Sequence, residues 1–402
     1  MKINKEINMS STIKYYPVCN GDQSLITLED KTTILIDCNI REGSKGDDDE
    51  TLFDAHQDLL DSIQRDSNDI PYIDVFILTH GDQDHCRGFR KNFYQGDPSK
   101  YNKTDKDNNL IMVDAMWFSP MIAEYHNSND DETAYQEEAE RRLELHRKND
   151  PSRNNPGNRI RIIGYDGDKK YNDLDKMRSV PGDVVTRFND KDQELFSIFI
   201  HSPFKEQLMA ETIDKNHASI VFQARFKENK FSSEFITLAM FGGDSDHNTW
   251  NIILDKTKKY GKDKTEQALD WDIFLSPHHC SWSFFNERPQ AENPTPMATS
   301  LEVLDYKRGS NPKVIASCRK IVEAKPNPPH NAAKKQYVSK VGENNFLNTA
   351  THDVTNDTPQ PIIFEISVNG PVKEKKAEGS SRAAAGAGLS ALNSVSTYGR
   401  TI

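Results

Sequence analysis

The segment that most restricts this chain is a short apolar run, Ile73-Asp-Val-Phe-Ile-Leu78, that gives way at once to Thr79-His80-Gly-Asp82-Gln-Asp84-His85. A run of that length and composition predicts a strand buried on both faces. Such strands lie in sheets covered by helices, which points to α/β layering. His80, Asp82, Asp84 and His85 then fall within six residues at the strand's carboxyl end. Packing does not explain them, because an unpaired buried carboxylate is costly and a buried imidazole needs partners. Metal binding does. Imidazole and carboxylate together suit zinc, manganese or iron, and two ions a few Å apart need more ligands than these four can supply.

Further candidates recur at the ends of other apolar runs. His201 closes LFSIFIH, Asp244 follows FITLAMFGG, and His278 and His279 follow WDIFLSP. A lone histidine at a strand end is more often structural. Repetition of the pattern in one chain favours a shared site.

The rest of the chain fits a layered α/β protein. Ser24–Leu28 and Thr33–Asp37, joined by a polar turn, predict an antiparallel hairpin. Residues 51–65 carry apolar residues at helical spacing, and 130–150 predict a charged, solvated surface helix. Strands are expected near 110–119, 195–201, 218–226, 235–241, 271–276, 313–317 and 361–368, and from about 371 an Ala/Gly/Ser-rich flexible tail. The five cysteines form no CxxC pair, so neither a disulfide framework nor a thiolate zinc cluster is indicated. No run reaches the roughly 18 apolar residues of a membrane span, and the amino terminus lacks a leader's apolar core. A cytoplasmic protein is expected. The net charge of −11 argues against non-specific binding to nucleic acid but leaves room for a local basic groove.

His80-Gly-Asp82-Gln-Asp84-His85 after a strand resembles the HxHxDH signature of the metallo-β-lactamase-like superfamily, closest to the hydrolase domain of ComEC competence proteins and its stand-alone relatives. In that group Asp commonly takes the second His position, as Asp82 does here. Gly21-Asp-Gln-Ser24 with Leu35-Ile-Asp37-Cys is similar to the group's GDS…LIDxG opening. His201-Ser-Pro203, Asn216-His-Ala-Ser-Ile-Val221, Phe241-Gly-Gly-Asp244 and Ser276-Pro-His-His-Cys-Ser281 resemble its HP, NxxSLV, TGD and xxHHGS segments, and Ser317 with Asn327–His330 loosely resembles its closing stretch. Asn39 and Cys280 stand where the group has glycine, and Cys86 follows the signature directly.

The resemblance implies an αββα four-layer sandwich over residues 1–370 with an insertion at about 97–190. It implies one ion held by His80, Asp82 and His201, a second by Asp84, His85 and one of His278 and His279, and Asp244 bridging them. Asp82 makes the first site harder and favours manganese relative to an all-imidazole site, although zinc suits both ligand types. The resemblance implies a hydrolase but gives no substrate; the two-ion ligand set together with nearness to the ComEC group makes a phosphodiester in single-stranded nucleic acid or a nucleotide the leading expectation. Asp84 and the His278/His279 pair would act in catalysis, and Ser281 would bind a substrate oxygen. Arg141, Arg142, Arg147, Lys148, Arg153, Arg159 and Arg161 would line an entry groove. Hydrolysis of a small ester, thioester or lactam is the alternative. So is a metal-stabilised regulatory module that docks a protein partner through the insertion or tail.

Overall fold

The computed structural model describes residues 10–46, 51–124, 129–166, 169–209, 215–260, 267–292, 294–323 and 327–374. In chain order its principal strands begin with β1 (Thr12–Tyr15), β2 (Ser24–Thr27), β3 (Thr33–Ile36), β4 (Pro71–Ile77), β5 (Met112–Phe118), β6 (Arg159–Ile163), β7 (Arg178–Ser179) and β8 (Val184–Val185). They continue with β9 (Phe196–Ser202), β10 (Val221–Phe226), β11 (Thr237–Phe241), β12 (Ile273–Leu275), β13 (Lys313–Ala316), β14 (Phe346–Asn348), β15 (Ile362–Ser367) and β16 (Gly370–Lys373). The larger helices are α1 (Ala55–Ser62), α2 (Asp130–Arg147), α3 (His247–Tyr260), α4 (Ala298–Asp305) and α5 (Asn331–Val341).

The strands form two large mixed sheets. The first runs β16-β15-β1-β2-β3-β4-β5-β6-β7, with Gln64–Arg65 added alongside β4; the second runs β8-β9-β10-β11-β12-β13-β14. Each sheet changes from antiparallel to parallel pairing partway across: at β3–β4 in the first and at β11–β12 in the second. The expected hairpin is β2–β3, in register from Ser24 opposite Ile36 to Thr27 opposite Thr33. The apolar run before the metal-competent turn is β4, which has parallel neighbours on both sides and six of its seven residues buried.

One core lies where residues from both sheets meet. Tyr15 of β1 stacks on Phe241 of β11 with ring centroids 6.0 Å apart, and Phe241 stacks in turn on Phe222 at 5.0 Å. In β9 the alternation of a pleated strand sends Phe196, Ile198 and Ile200 into this core and turns Phe199 and His201 to the opposite face. A second core joins the second sheet to helices, with Trp250 and Ile253 of α3, Leu304 of α4 and Tyr337 of α5 against Phe274 and Val314.

Three expectations change. Helix α2 is not solvated all round. Tyr135, Ala139 and Leu143 are buried in the first core, and Arg142 is buried beside Glu138, donating to the Val113 and Arg159 carbonyls. Segment 97–190 supplies β5, β6 and β7 to the first sheet itself. The expected tail begins as strand β16, antiparallel to β15; its remainder, 375–402, lies outside the described residues. Among the described residues no helix is long and apolar enough to cross a membrane.

Candidate metal centre

The centre forms where parallel strands of both sheets end. Ligands of open α/β sheets gather at the carboxyl ends of their strands, where the backbone must leave the sheet. Strand β3 ends in Asp37, β4 in Thr79 and His80, β11 in Asp244, and β12 in His278 and His279. The loop between β1 and β2 adds Asp22.

Two groups of potential ligand atoms occur, each with its atoms within 4.8 Å of one another: His80, Asp82 and Asp244 form one, and Asp22, His85 and His279 the other. Asp244 stands between them. Its Oδ1 is 2.9 Å from His85 Nε2 and 3.4 Å from His279 Nε2, and its Oδ2 is 3.6 Å from His278 Nε2. Asp84 Oδ2 lies 3.2 Å from His279 Nε2. Asp22, His80, His85, His279 and Asp244 are nearly sealed from solvent, whereas the side chains of Asp82, Asp84 and His278 are 21%, 30% and 25% exposed and form the mouth.

Asp37 fixes the geometry of His85. Its Oδ1 accepts from the Thr79 backbone N–H at 2.6 Å, and its Oδ2 accepts from the Thr79 hydroxyl at 2.5 Å and lies 2.9 Å from His85 Nδ1. A carboxylate on one imidazole nitrogen aims the other, here toward Asp244. The Asp22 loop is held equally firmly. Asn39 donates through Nδ2 to the Val18 and Asn20 carbonyls, and the Ser317 hydroxyl donates to the Gly21 carbonyl at 2.6 Å. Gly21 has φ +135°, and a Cβ there would stand 2.0 Å from Asn39 Nδ2 and 2.5 Å from the Asp84 carbonyl oxygen. Only glycine lets the loop approach this closely.

Burial opposes charge in the centre, and at His85, His279, Asp244 and Asp84 opposite charges overcome it. Burial would strip the proton from His85, but Asp244 and Asp37 hold its imidazolium well above the usual histidine range. His279 is raised in the same way, by Asp244, Asp22 and Asp84 against burial. Asp244 is held well below the carboxylate range by His278, His85 and His279 despite burial, and Asp84 falls to about 2 beside His279. His278 moves the other way: burial, with His279 and His80 nearby, outweighs Asp244 and lowers it.

The donor set fits divalent cations. His80 is 2% exposed, and neither of its ring nitrogens makes a hydrogen bond among the described residues. A buried imidazole in that condition has lone-pair or N–H capacity that none of the described residues satisfies. Its Nε2 faces Asp82 Oδ2 at 3.5 Å, a gap suited to a shared ion.

Several expected residues sit elsewhere. His201 belongs to neither group. Its Nε2 lies 2.9 Å from the Ala268 carbonyl oxygen, its ring packs edge-on to Phe199 at 4.7 Å, and burial together with Arg225 lowers its pKa to about 3. The β9 pleat turns it away from the core face, so it stays outside the centre. The Ser281 hydroxyl accepts from the Ser283 N–H at 3.2 Å and caps a short turn, while Ser283 Oγ is the hydroxyl that reaches His278 Nδ1, at 3.3 Å. The Cys280 side chain is buried in the second core, at φ +64°. His278 and His279 share that left-handed backbone, at φ +49° and +53°. Such a run of three non-glycine residues is strained, and its effect is to present two consecutive imidazoles to one centre. Cys86 packs behind the signature turn, with Sγ 3.4 Å from the Asp82 carbonyl.

The expected basic groove is divided. Arg141 and Arg142 bind Glu138, Arg147 lies 3.0 Å from Asp173, Lys148 pairs with Glu144, and Arg153 donates to the Asp150 carbonyl. Arg159 and Arg161 do line a cleft, of about 420 Å³, with Lys176 and Arg187. Asp22 and Asp37 are the residues that reading for ligands overlooked. Both stand inside quoted motifs, and the signal was a carboxylate beside a tight loop or at a strand end. No protein-family model matches the chain, and no curated protein matches it.

Proposed function

We propose that the chain is a metal-dependent hydrolase of the metallo-β-lactamase-like type, related to the ComEC-type hydrolase domains, that cleaves a phosphodiester in single-stranded nucleic acid or a nucleotide. The helix-covered sheets meeting in one core are what an αββα sandwich would give. The observation that carries the reading is Asp244, set between two ligand groups with one oxygen toward His85 and His279 and the other toward His278.

In this reading His80, Asp82 and Asp244 would hold one cation and Asp22, His85 and His279 the other, with Asp244 close to both and Asp84 at the edge of the second group. Zinc and manganese both suit these donors. When bound, such ions polarise a phosphoryl oxygen and activate water at neutral pH. The remaining work is the protein's own. Asp37 orients His85, and the Asp22 loop seals the inner side of the centre from solvent. Asp84 accepts a hydrogen bond from the group that approaches through the mouth. His278, neutral and part-exposed, meets a substrate oxygen there, with Ser283 steadying its other nitrogen.

The test is metal analysis combined with turnover of bis-aryl phosphodiester, single-stranded DNA and RNA, cyclic nucleotide, thioester and lactam probes. Two ions per chain and phosphodiester turnover, both lost in Asp244→Ala, are expected. Turnover of the thioester or lactam alone would move the reading to those substrates. Bound metal without turnover of any probe would make the centre structural or regulatory.

A further inference from the structure

His201 is a quoted motif histidine that belongs to neither candidate ligand group, and it stands in a cavity of its own. Beyond the outer face of the second sheet, Tyr165, Phe199, His201, Phe204 and Tyr260 wall a space of about 400 Å³. None of them belongs to either ligand group. His201 is 1% exposed, and its Nε2 meets the Ala268 carbonyl at 2.9 Å, so that nitrogen carries the N–H. The neutral ring then offers Nδ1 as an acceptor, to which no residue described here donates.

The charge around this cavity is the reverse of the metal centre's. Arg225 is 4% exposed, and its guanidinium lies 4.3 Å from the centroid of Phe199, one of the walls. Its Nε–H donates to Gln223 Oε1 at 2.6 Å, its Nη2 has no hydrogen-bond partner, and no carboxylate pairs with it among the described residues. A buried cation without a counter-ion is rare and leaves a positive field in its surroundings. Lys205 and Lys256 stand at the rim, the latter paired with Glu206. Tyr260, 65% exposed, is a large ring in water at the same rim.

The geometry points to a nucleotide-binding site separate from the metal centre. A flat heteroaromatic ring would stack among the aromatic walls and donate an N–H to His201 Nδ1, with the phosphate on the lysine side. Base stacking on aromatic rings tolerates any base, and a single unpaired acceptor favours rings that carry an N–H donor. The assignment does not depend on the metal reading, because no ligand residue takes part in it.

Calorimetric titration of the full chain with adenosine, guanosine, cytidine and uridine monophosphates tests the site, once with metal loaded and once after chelation. At least one nucleotide is expected to bind, one per chain, in both states. Tyr260→Ala should weaken binding by about tenfold or more. Lys205→Glu should weaken it by about threefold to fivefold, as an exposed charge contact would. Both side chains are on the surface, so neither variant threatens the fold, and both should keep the metal content of the parent. Absence of binding at millimolar nucleotide, affinities unchanged in both variants, or binding lost on chelation would each overturn the assignment. Inorganic pyrophosphate binding as tightly as the nucleotides would also overturn it, leaving a plain anion site.

Discussion

A single carboxylate, Asp37, does more for the centre than its position in the sequence announces. It accepts the Thr79 N–H and hydroxyl and meets His85, so the start of the signature turn and the aim of one ligand depend on it. Asp37→Asn keeps the shape but loses the charge, and metal affinity should fall by about 10- to 100-fold, measured by competition with a chromogenic chelator. His201 predicts a different behaviour. Its pKa in the fold, about 3, lies below the ordinary histidine value near 6.5. Its contribution to stability is therefore complete above about pH 6.5 and is withdrawn as the pH falls through that window, because the unfolded chain binds the proton first. Denaturation midpoints from pH 7 to 4.5 should fall less steeply in His201→Gln than in the parent. Equal slopes would show that His201 is already protonated in the fold.

At the scale of elements, the strands were legible because they are short apolar runs with polar ends: β11 and β12 fall within the stretches that composition marks, and β4 and β9 overlap theirs with ends displaced by one or two residues. The candidate site was legible to the same depth, as a set of residues that the fold brings together. His80, Asp82, Asp84, His85, Asp244 and His279 all follow directly on those strands. What sequence could not show is direction. His201 has the same strand-end setting as Asp244, yet the pleat of β9 turns it outward, and a shift of one residue would have faced it the other way. Helix α2 hid its buried face because Glu138 and Arg142 pair inside it and read as surface charge. The loops carry their own test. Gly243 has φ +50°, and a Cβ there would lie 2.9 Å from Thr79 Oγ1. Gly243→Ala should cost about 1–3 kcal/mol of stability and lower metal occupancy, read by denaturant titration and metal analysis. Unchanged stability would mean that the turn before Asp244 relaxes freely.

For the whole molecule, the acidic balance and the centre are linked through protons. Opposite charges favour the protonated form of His85 and His279; a cation bound there would take the neutral imidazole and have to displace those protons. Binding should therefore release protons and strengthen as the pH rises. Titrations in two buffers of different ionisation enthalpy would give the number released, and equal heats in both would contradict the expectation. Ligand binding to the folded state alone also adds stability, about 4 kcal/mol at a thousandfold excess over Kd. Chelation should lower the melting temperature accordingly.

Both ligand groups draw on both sheets. His80, Asp82, Asp22 and His85 come from the first sheet and its loops, and Asp244 and His279 from the second. Severing the chain between β8 and β9 would leave Asp22, His80, Asp82 and His85 on one fragment and Asp244 and His279 on the other, so neither piece would own a complete coordination shell. Restored metal uptake on mixing the pieces would then be a readout of reassembly, with the ion serving as the latch between two halves of a split protein.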